Sequence, residues 1–578
     1  MRPLGAALCL LALVPAARAQ DTVIVIRPES LGLGFEVPDL PRAVADEAIR
    51  FFNAAGTARL SGRTVLPRGG AWRGDVAVRG GPVQVSGLLN GSLLVINGDV
   101  VLARDAEIAG TLLVVGGAVR GVDSATVTGG VRVYRELLWY RVDADTIVYA
   151  PSLRRRFPGL GARGEWTAGE TKTSLTLATG GTYNRVEGLP IVFGPTFDWY
   201  LREHTRLRLD ALGTFRLGAD LGDDRSDLGF QLRAELKRGE TTGWGVGIRG
   251  YDVVAGVEDW KLHNNEVGWA AFLARRDYRD YYRNRGVIGR VFAQPAPPVS
   301  LGLEVRYERQ ASETANDPIS LLRNAEPWRL NPPIDGGHFT TVAATVGYDT
   351  RNDRWDPTSG WLLRGILETT GSDDIAPHPG VPPAVRDSIP SNGYRFTRGW
   401  LDARRYMRLS QGSRLNVRML AGGWLGGDPL PLQRRLALEG PDPLPGYGFR
   451  YLACDAAITD SAFTGGTAAC DRVLLAQLEY RGHVSLRWAY DPERDPDGPG
   501  LLTVWLQGLD VVAFANTGQA WLVGSGAGQF PASEIPPLRD WLADVGLGLD
   551  WGGLGIYVAK AVTAREPVRV ILRLDHRF

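Results

Sequence analysis

The sequence predicts an all-β protein whose larger part is a transmembrane β-barrel of about 16 antiparallel strands, preceded by a small β-solenoid. Three observations predict this fold class. Apolar and charged residues alternate with a period of two over much of residues 183–578, and glycine-led repeats precede that region. After the first 20 residues, no stretch reaches the ~18 apolar residues that a membrane helix requires.

The charge balance excludes one broad class of function. The chain has 65 Lys+Arg against 64 Asp+Glu, which gives a net charge of +1. A dedicated nucleic-acid binder needs a basic excess to displace counterions from phosphates. We therefore expect no nucleic-acid partner.

Residues 1–19 have the three parts of a secretory signal peptide. Met1-Arg2 is a short basic segment, Leu4–Val14 is an apolar core, and Ala17-Arg18-Ala19 is a cleavage motif. The alternative is a buried N-terminal helix. The order of the three parts favours export of the mature chain.

Residues 20–66 form an N-terminal segment in which helical spacing of apolar residues predicts a short helix over 43–54. Residues 67–135 then repeat a glycine followed by alternating apolar residues. The clearest copies, 19 residues apart, begin at Gly91, Gly110 and Gly129. This period predicts a β-solenoid, with a plain β-meander as the alternative. The stretch resembles a bactofilin-like, polymer-forming β-helix.

Residues 136–182, which include an arginine run at 154–156, are interpreted as a linker or a segment entering the barrel lumen. Residues 183–578 are the predicted barrel. Strict alternation of apolar and polar residues is clearest in residues 206–211, 300–308, 414–421 and 568–574. The strand-like pattern continues over residues 183–578 without a predicted helix. A region of this length is too long for one sandwich core.

Period alone does not say which face of a strand is buried, and a soluble all-β enzyme is the alternative. Charged residues occupy the non-apolar face of nearly every strand, as in a polar lumen. A sheet in lipid must close on itself because hydrocarbon offers no partner for backbone groups. The terminal Phe578 resembles the C-terminal signal recognised by outer-membrane insertion machinery. We therefore predict an outer-membrane barrel.

Several motifs carry a family resemblance. The segments are Val346–Arg364 (VGYDTRNDRWDPTSGWLLR), Leu438–Tyr447 (LEGPDPLPGY), Leu474–Arg481 (LLAQLEYR) and Ala513–Trp521 (AFANTGQAW). In order and spacing they resemble the bacterial surface antigen (D15-type) family, whose superfamily includes barrel-assembly insertases and two-partner secretion transporters. The resemblance spans about Tyr183 to Phe578 and implies a sixteen-stranded barrel.

The resemblance also implies a functional loop. In the family, an arginine of a loop that folds into the barrel pairs with an aspartate on a later strand. These two positions are Pro445 and Asn516 here. Losing both partners of a buried ion pair is nearly neutral, whereas losing one leaves an uncompensated charge. The loop is therefore expected to fold inward still, with Gly446 making the turn and Tyr447 supplying the aromatic ring.

Arg450 follows this turn and is expected to reach Asp510 or Glu479 on neighbouring strands. Asn516 and Gly518 are the other expected wall partners of the loop. A second departure is that residues 20–182 lack the βααββ modules that receive substrate chains in the family's transporters. Direct handling of unfolded clients is therefore in doubt.

The sequence has no recognisable catalytic, cofactor or metal motif. Its six histidines are isolated from other potential ligands, so we expect no metal, no cofactor and no enzymatic activity. The cluster around Asp277 and Asp280 is interpreted as a solvated face, with a binding site as the alternative. In an exported protein, Cys454 and Cys470 are expected to form a disulfide that restrains a long loop.

We therefore predict a protein of the outer membrane of a diderm bacterium, with its N-terminal domain in the periplasm. The family resemblance favours a role in protein insertion, translocation or outer-membrane assembly. The alternatives are a structural anchor whose solenoid docks periplasmic or envelope proteins, and a passive diffusion channel. The expected partners are outer-membrane lipid and the barrel-insertion machinery during biogenesis.

Overall fold

The computed structural model of the chain describes residues 40, 42–134, 138, 140–143, 145–149, 161–168, 171–179, 182–202, 204–218, 227–239, 242–352, 356–377, 389–390, 392–410, 412–451, 454, 470–484, 509–525, 528–552, 554–574 and 576–577. The predicted signal peptide (1–19) and Phe578 lie outside the described residues, as does part of the predicted linker (150–160).

The N-terminal region begins with helix α1 (Arg42–Asn53), close to the predicted helix. Thirteen short strands follow: β1 (Ala58–Ser61), β2 (Thr64–Leu66), β3 (Ala71–Arg73), β4 (Val76–Arg79), β5 (Val83–Val85), β6 (Leu88–Asn90), β7 (Leu93–Ile96), β8 (Val100–Leu102), β9 (Glu107–Ile108), β10 (Leu112–Val115), β11 (Val119–Arg120), β12 (Thr126–Val127) and β13 (Val131–Tyr134). A hairpin of β14 (Tyr140–Asp143) and β15 (Thr146–Tyr149) comes next.

The thirteen strands form a parallel β-solenoid, which confirms the prediction over the meander alternative. They stack in three sheets of order β1-β4-β7-β10-β13, β2-β5-β8-β11 and β3-β6-β9-β12. Parallel registers such as Leu93 opposite Leu112 place equivalent residues of successive repeats on top of each other. The first turn starts at Ala58, within the segment predicted to precede the solenoid, because its repeat is too degenerate to stand out in the sequence.

The interior of the solenoid is a stack of aliphatic side chains, among them Val78, Val95 and Val114, each fully buried. The outer face of the first sheet is covered as well. Helix α1 and β15 pack on it through a cluster that includes Val44, Phe52, Leu94, Ile96, Leu113 and Ile147. One turn alone cannot bury its apolar face, so the stacked repeats stabilise one another.

Glycine is required where successive turns touch at a corner of the solenoid. A Cβ added at Gly98 would lie 2.0 Å from the carbonyl oxygen of Gly81, and one at Gly117 would lie 1.9 Å from that of Gly98. These neighbours are backbone atoms, which cannot rotate away. The glycine that leads a repeat is confined in the same way, since a Cβ at Gly91 would lie 2.2 Å from the Gly74 carbonyl oxygen, so the glycine-led repeat reflects contact between turns.

The second part of the chain is a sheet of long strands. Its members are β16 (Gly161–Ala168), β17 (Thr171–Thr179), β18 (Pro190–Arg202), β19 (Thr205–Arg216), β20 (Leu228–Arg238), β21 (Gly243–Val257), β22 (Asp280–Ala296), β23 (Val299–Ser312), β24 (Gly337–Asp349), β25 (Gly360–Ser372), β26 (Tyr394–Ser410), β27 (Ser413–Gly427), β28 (Arg472–His483), β29 (Leu509–Val523), β30 (Gln529–Phe530), β31 (Leu542–Trp551), β32 (Leu554–Ala561) and β33 (Arg569–Arg573).

These strands form one transmembrane barrel sheet in sequence order from β16 to β33. The two-residue β30 pairs in parallel with β29, and the other seventeen strands are antiparallel to their neighbours. The prediction of about 16 strands is confirmed closely. Because the number is odd, β16 and β33 run in the same direction. The sheet also starts earlier than predicted: β16 and β17 lie within residues 136–182, interpreted as a linker, because threonines weaken the apolar alternation there.

The sheet is apolar on the outside and charged on the inside, as predicted. Leu547 is 63% exposed and Met419 61% exposed, whereas Glu479 and Asp550 are fully buried and Arg481 is 1% exposed. Such a pattern fits a wall that faces hydrocarbon and encloses a polar interior. The chain therefore forms a transmembrane β-barrel preceded by a solenoid.

A second helix, α2 (Asn264–Ala274), lies in the connection between β21 and β22. The expectation that the barrel region contains no helix is thus wrong. The apolar residues of α2 do not follow one face, so the segment does not look helical in the sequence. Neither described helix is both long and apolar enough to cross a membrane.

The solenoid touches one end of the barrel. The Arg408 guanidinium on β26 donates from Nη1 to the Asn97 carbonyl oxygen at 2.6 Å and from Nη2 to Thr358 Oγ1 at 2.7 Å. Thr358 belongs to the turn between β24 and β25. We call this the solenoid-side end of the barrel, and the opposite end the loop-side end.

Substituting Gly117→Ala should destabilise the solenoid by about 1–3 kcal/mol, because a methyl group is forced onto the carbonyl of the turn below. The measurement is chemical denaturation of the full-length protein, followed by protease sensitivity of residues 58–134. Gly56→Ala is the matched control, since no atom lies within 4 Å of its added Cβ. Equal stability of the two variants would contradict the packing argument.

Candidate functional site: the inward loop

The connection between β27 and β28 folds into the barrel. We call residues 436–450 of this connection the inward loop. Its apolar side chains Leu438, Leu444 and Tyr447 are at most 1% exposed. They pack in one cluster with residues of four strands of the inner wall: Leu475, Ala520, Leu542 and Ala561. Burial of this apolar surface holds the loop against one side of the interior.

Gly446 and Tyr447 make the closest approach of the loop to that wall. The Gly446 amide donates to Asp544 Oδ2 on β31 at 2.7 Å. A Cβ at Gly446 would lie 2.7 Å from the Ala561 amide nitrogen, so only glycine fits there. The Tyr447 hydroxyl donates to the Ala543 carbonyl oxygen at 2.9 Å. The turn and the aromatic ring predicted from the sequence thus lie side by side on β31 and β32.

Arg450 reaches a different wall from the one expected. Its Nη1 lies 2.6 Å from Asp280 Oδ2 on β22, and its Nη2 lies 3.5 Å from Glu258 Oε2. The side chain is 1% exposed. The inward loop therefore crosses the lumen, with Gly446 at β31 and Arg450 at β22.

The expected partners of Arg450, Asp510 and Glu479, are engaged elsewhere, and this expectation is wrong. Asp510 Oδ1 lies 3.1 Å from Nδ1 of His483. Glu479 Oε1 accepts from Nε of Arg481 at 2.6 Å. Each carboxylate has a basic side chain of β28 as its partner, so neither depends on the loop for a partner.

Asn516 and Gly518 lie beside the inward loop. Asn516 Nδ2 donates to Asp544 Oδ1 at 2.6 Å, the same carboxylate that accepts from Gly446. Asn516 Oδ1 accepts from Gln477, whose Nε2 also donates to the Pro443 carbonyl oxygen of the loop at 3.1 Å. A Cβ at Gly518 would lie 2.7 Å from Leu438 Cδ2. Both positions serve the loop through packing and neutral hydrogen bonds.

Asp280 is the centre of a buried ion cluster that the sequence did not reveal. Besides Arg450, its carboxylate lies 2.8 Å from Arg185 Nη2 and 2.6 Å from Arg329 Nη2. Asp277 pairs with Arg185 at 3.0 Å. Both aspartates are 5% exposed, so the interpretation of this segment as a solvated face is wrong. The dense run of Asp, Arg and Tyr was the available signal, but its partners come from distant loops.

A disulfide joins Cys454 and Cys470 at the far side of the same connection. Cys470 also exchanges two backbone hydrogen bonds with Leu436, each of 2.8 Å. These links close the base of the inward loop near the start of β28. They restrict the loop to a smaller set of positions in the barrel.

No group of three or more His, Cys, Asp and Glu side chains in the described part of the chain is arranged to hold a metal ion. Many of the charged residues described in the interior form pairs of Arg with Asp or Glu. The arrangement suits a structural network that positions a loop.

Glu439 lies at the start of the inward loop, 1% exposed, facing Lys261 and Glu258 of the β21–β22 connection. Burial raises the pKa of its carboxyl from 4.5 to about 7. A buried carboxyl with a raised pKa is more stable in its protonated form than in its ionised form. The stability of the docked loop therefore depends on pH.

We expect docking of the inward loop to be strongest below pH 4.5 and to weaken as the pH rises from 4.5 through about 7, because only the undocked carboxyl then ionises freely. Hydrogen exchange of the inward-loop amides measures this, with Glu439→Gln as the comparison at each pH. The Gln variant should lose the dependence. The same pH profile in both proteins would contradict the assignment.

Arg450→Ala should lower the stability of the folded barrel by about 1.5–3 kcal/mol, because it removes one of the three arginines around Asp280 and with it the charged hydrogen bond that holds the loop to β22. Heat-modifiable migration in gels reports the folded fraction. Arg275→Ala is the matched control, since its partner Asp317 is 82% exposed. Asp510→Asn should leave migration unchanged; a loss equal to that of Arg450→Ala would restore the original pairing hypothesis.

No curated protein matches the chain in sequence. Among solved structures, the chain is similar to BamA from Haemophilus ducreyi lacking POTRA domains 1–3, at 12% identity over 72% of this chain and 74% of that chain, with a TM-score of 0.41. It is also similar to CdiB from Acinetobacter baumannii, at 10% identity over 74% of this chain and 68% of that chain, with a TM-score of 0.29. For CdiB from Escherichia coli the identity is 10% over 73% of this chain and 68% of that chain, with a TM-score of 0.30. Residues 226–483 match the model of the Omp85 superfamily domain. The resemblance to the bacterial surface antigen family is thereby confirmed over residues 226–483, which match the Omp85 superfamily domain.

Proposed function

We propose that this protein inserts polypeptides into the outer membrane or translocates them across it, with the inward loop as its functional element. One observation carries the proposal. Within an Omp85-type barrel, the loop spans the lumen from Asp544 on β31 to Asp280 on β22. A segment held at both walls by polar bonds is able to respond to a client that competes for either wall.

The interior chemistry supports the same function. Arg, Asp and Glu pairs line the lumen, for example Arg418 with Asp402 at 2.9 Å and Arg306 with Glu368 at 3.2 Å. A lumen lined by such pairs offers hydrogen-bonding groups to the backbone of an extended chain, whereas an apolar lumen would leave that backbone without partners. We propose no catalytic activity.

The N-terminal solenoid is proposed to lie in the periplasm and to dock envelope or periplasmic proteins. Its contact with Arg408, through the Asn97 carbonyl oxygen, sets it against the barrel end opposite the large loops. In this position it stands where a periplasmic partner approaches the lumen. The solenoid would thereby take the place of the βααββ modules and bring client proteins or assembly partners to the barrel.

The anchor hypothesis shares the solenoid's docking role but leaves the barrel inert. It does not explain why a loop is pinned across the lumen. A passive channel fits less well, because the inward loop occupies the lumen with buried apolar residues such as Leu438 and Leu444.

Depletion of the protein should reduce the amount of specific β-barrel or secreted proteins at the cell surface, measured by quantitative proteomics of the isolated outer membrane. Expression of the wild-type chain in the depleted cells should restore these proteins. Arg450→Ala, compared at an equal amount of folded protein, should not restore them. Arg275→Ala is the matched complementation control. An unchanged envelope proteome would overturn the proposal, and large steady conductance in planar bilayers would favour the channel instead.

A further inference from the structure

Basic side chains form a row across three neighbouring strands near the loop-side end of the barrel. Arg285 on β22 lies directly opposite Arg309 on β23, and Arg309 lies directly opposite His338 on β24. Residues at paired positions of adjacent strands point to the same face of a sheet, with Cα atoms about 5 Å apart. We call these three residues the basic row.

The basic row lies on the outer face of the barrel. Arg309 continues the outward series of β23, in which Val305 and Tyr307 are 48% and 59% exposed. Arg285 lies on the same side of β22 as Val287, which is 47% exposed. Both arginines are exposed as well. Their charges therefore face the surroundings of the barrel and not its lumen.

The basic row marks the loop-side boundary of the apolar wall. Toward the solenoid-side end, the outward residues of these strands are mainly apolar, among them Val291, Leu303 and Val342. Next to the row, the Tyr307 ring stacks on His338 with centroids 5.8 Å apart, in the position of an aromatic girdle. A cation on the outer face costs little at this depth, where lipid headgroups begin, and far more in the middle of the hydrocarbon.

Carboxylates already engage the basic side chains at the edges of this region. His338 Nδ1 lies 2.6 Å from Asp374 Oδ2, beyond the end of β25. Arg283, the next outward residue of β22, donates from Nε and Nη2 to the two carboxylate oxygens of Asp252, each at 2.9 Å. These two carboxylates thus have their own partners beside the centre of the row.

Arg285 and Arg309 have no such partner. Across the residues that the structure describes, neither side chain makes an ion pair or a hydrogen bond. Like charges directly opposite each other on adjacent strands destabilise a sheet. An anion between the two guanidinium groups would remove this repulsion and accept hydrogen bonds from both. The guanidinium fork matches the oxygens of a phosphate group particularly well.

We propose that Arg285 and Arg309 bind the phosphate group of an outer-leaflet lipid, whose acyl chains lie against the apolar wall beside Val287 and Val305. The phosphate satisfies the two unpaired cations, and the acyl chains match the side chains below them. A free phosphate ion would gain nothing from that wall. The choice of leaflet rests on the proposed periplasmic position of the solenoid. The lipid site itself goes beyond the proposed function, because it does not depend on a client.

Binding of diphosphoryl lipid A to the full-length protein in dodecyl maltoside tests the site, with bound lipid counted by native mass spectrometry. Arg285→Gln combined with Arg309→Gln should raise the dissociation constant at least about tenfold, because two charged hydrogen-bonding groups are lost. Without lipid, this double variant should be at least as stable as the wild type, since the repulsion between the strands is removed. Heat-modifiable migration measures that stability. Arg309→Gln alone is the second variant should the double variant not fold, and its dissociation constant should rise as well.

Arg63→Gln combined with Arg405→Gln is the matched control, because it removes the same charge elsewhere. Arg63 is exposed on the solenoid, and Arg405 stands over the Trp361 ring, 5.0 Å from its centroid, near the solenoid-side end. The control should keep wild-type affinity.

Equal affinity of the two double variants would overturn the lipid site, as would equal binding of lipid A from which the phosphates have been removed. Displacement of lipid A by an equal concentration of inorganic phosphate would assign the site to the free ion and overturn the lipid as its ligand. The measurement requires no client and no knowledge of orientation in the cell. Its failure is therefore distinct from failure of the proposed function.

Discussion

Hydrocarbon offers no partner for a backbone amide or carbonyl, and this constraint determines the architecture of the barrel. Between β16 and β33, the long strands that are neighbours in the sheet pair along most of their length. With apolar side chains such as Leu547 turned outward, charged residues such as Glu479 must lie inside. Removed from bulk water, these charges need partners, and the loops that enter the lumen supply them.

The inward loop illustrates how a charged interior selects its own contacts. Pro445 and Asn516 occupy the positions at which the family has an ion pair, so no charge is left uncompensated by their substitution. Asp544, one strand beyond Asn516, accepts from both the Asn516 amide and the Gly446 backbone. The charge pair of the loop lies instead on the opposite wall, between Arg450 and Asp280. The loop is thus held from two sides.

The solenoid pairs its backbone amide and carbonyl groups in a different way. Its parallel sheets stack turn upon turn around aliphatic side chains, and its corners tolerate only glycine at Gly98 and Gly117. Its interior cluster is apolar, so side-chain packing takes the place of the ion pairs that fill the barrel. The chain therefore joins a domain with an apolar core to a barrel with a polar interior, and Arg408 connects the two.

Two sequence periods are sufficient to predict the two architectures. Alternation in residues such as 414–421 and the 19-residue spacing of Gly91, Gly110 and Gly129 are local patterns, which can be recognised without knowledge of tertiary contacts. The glycine and the tyrosine of the inward loop could be predicted as well. The contact of Arg450 with Asp280, the burial of Asp277 and Asp280, and the entry of the C-terminal tail into the lumen became evident only in the folded chain. Ion pairs join residues far apart in the chain, and many carboxylates are chemically equivalent candidates, so the geometry of the folded barrel selects among them.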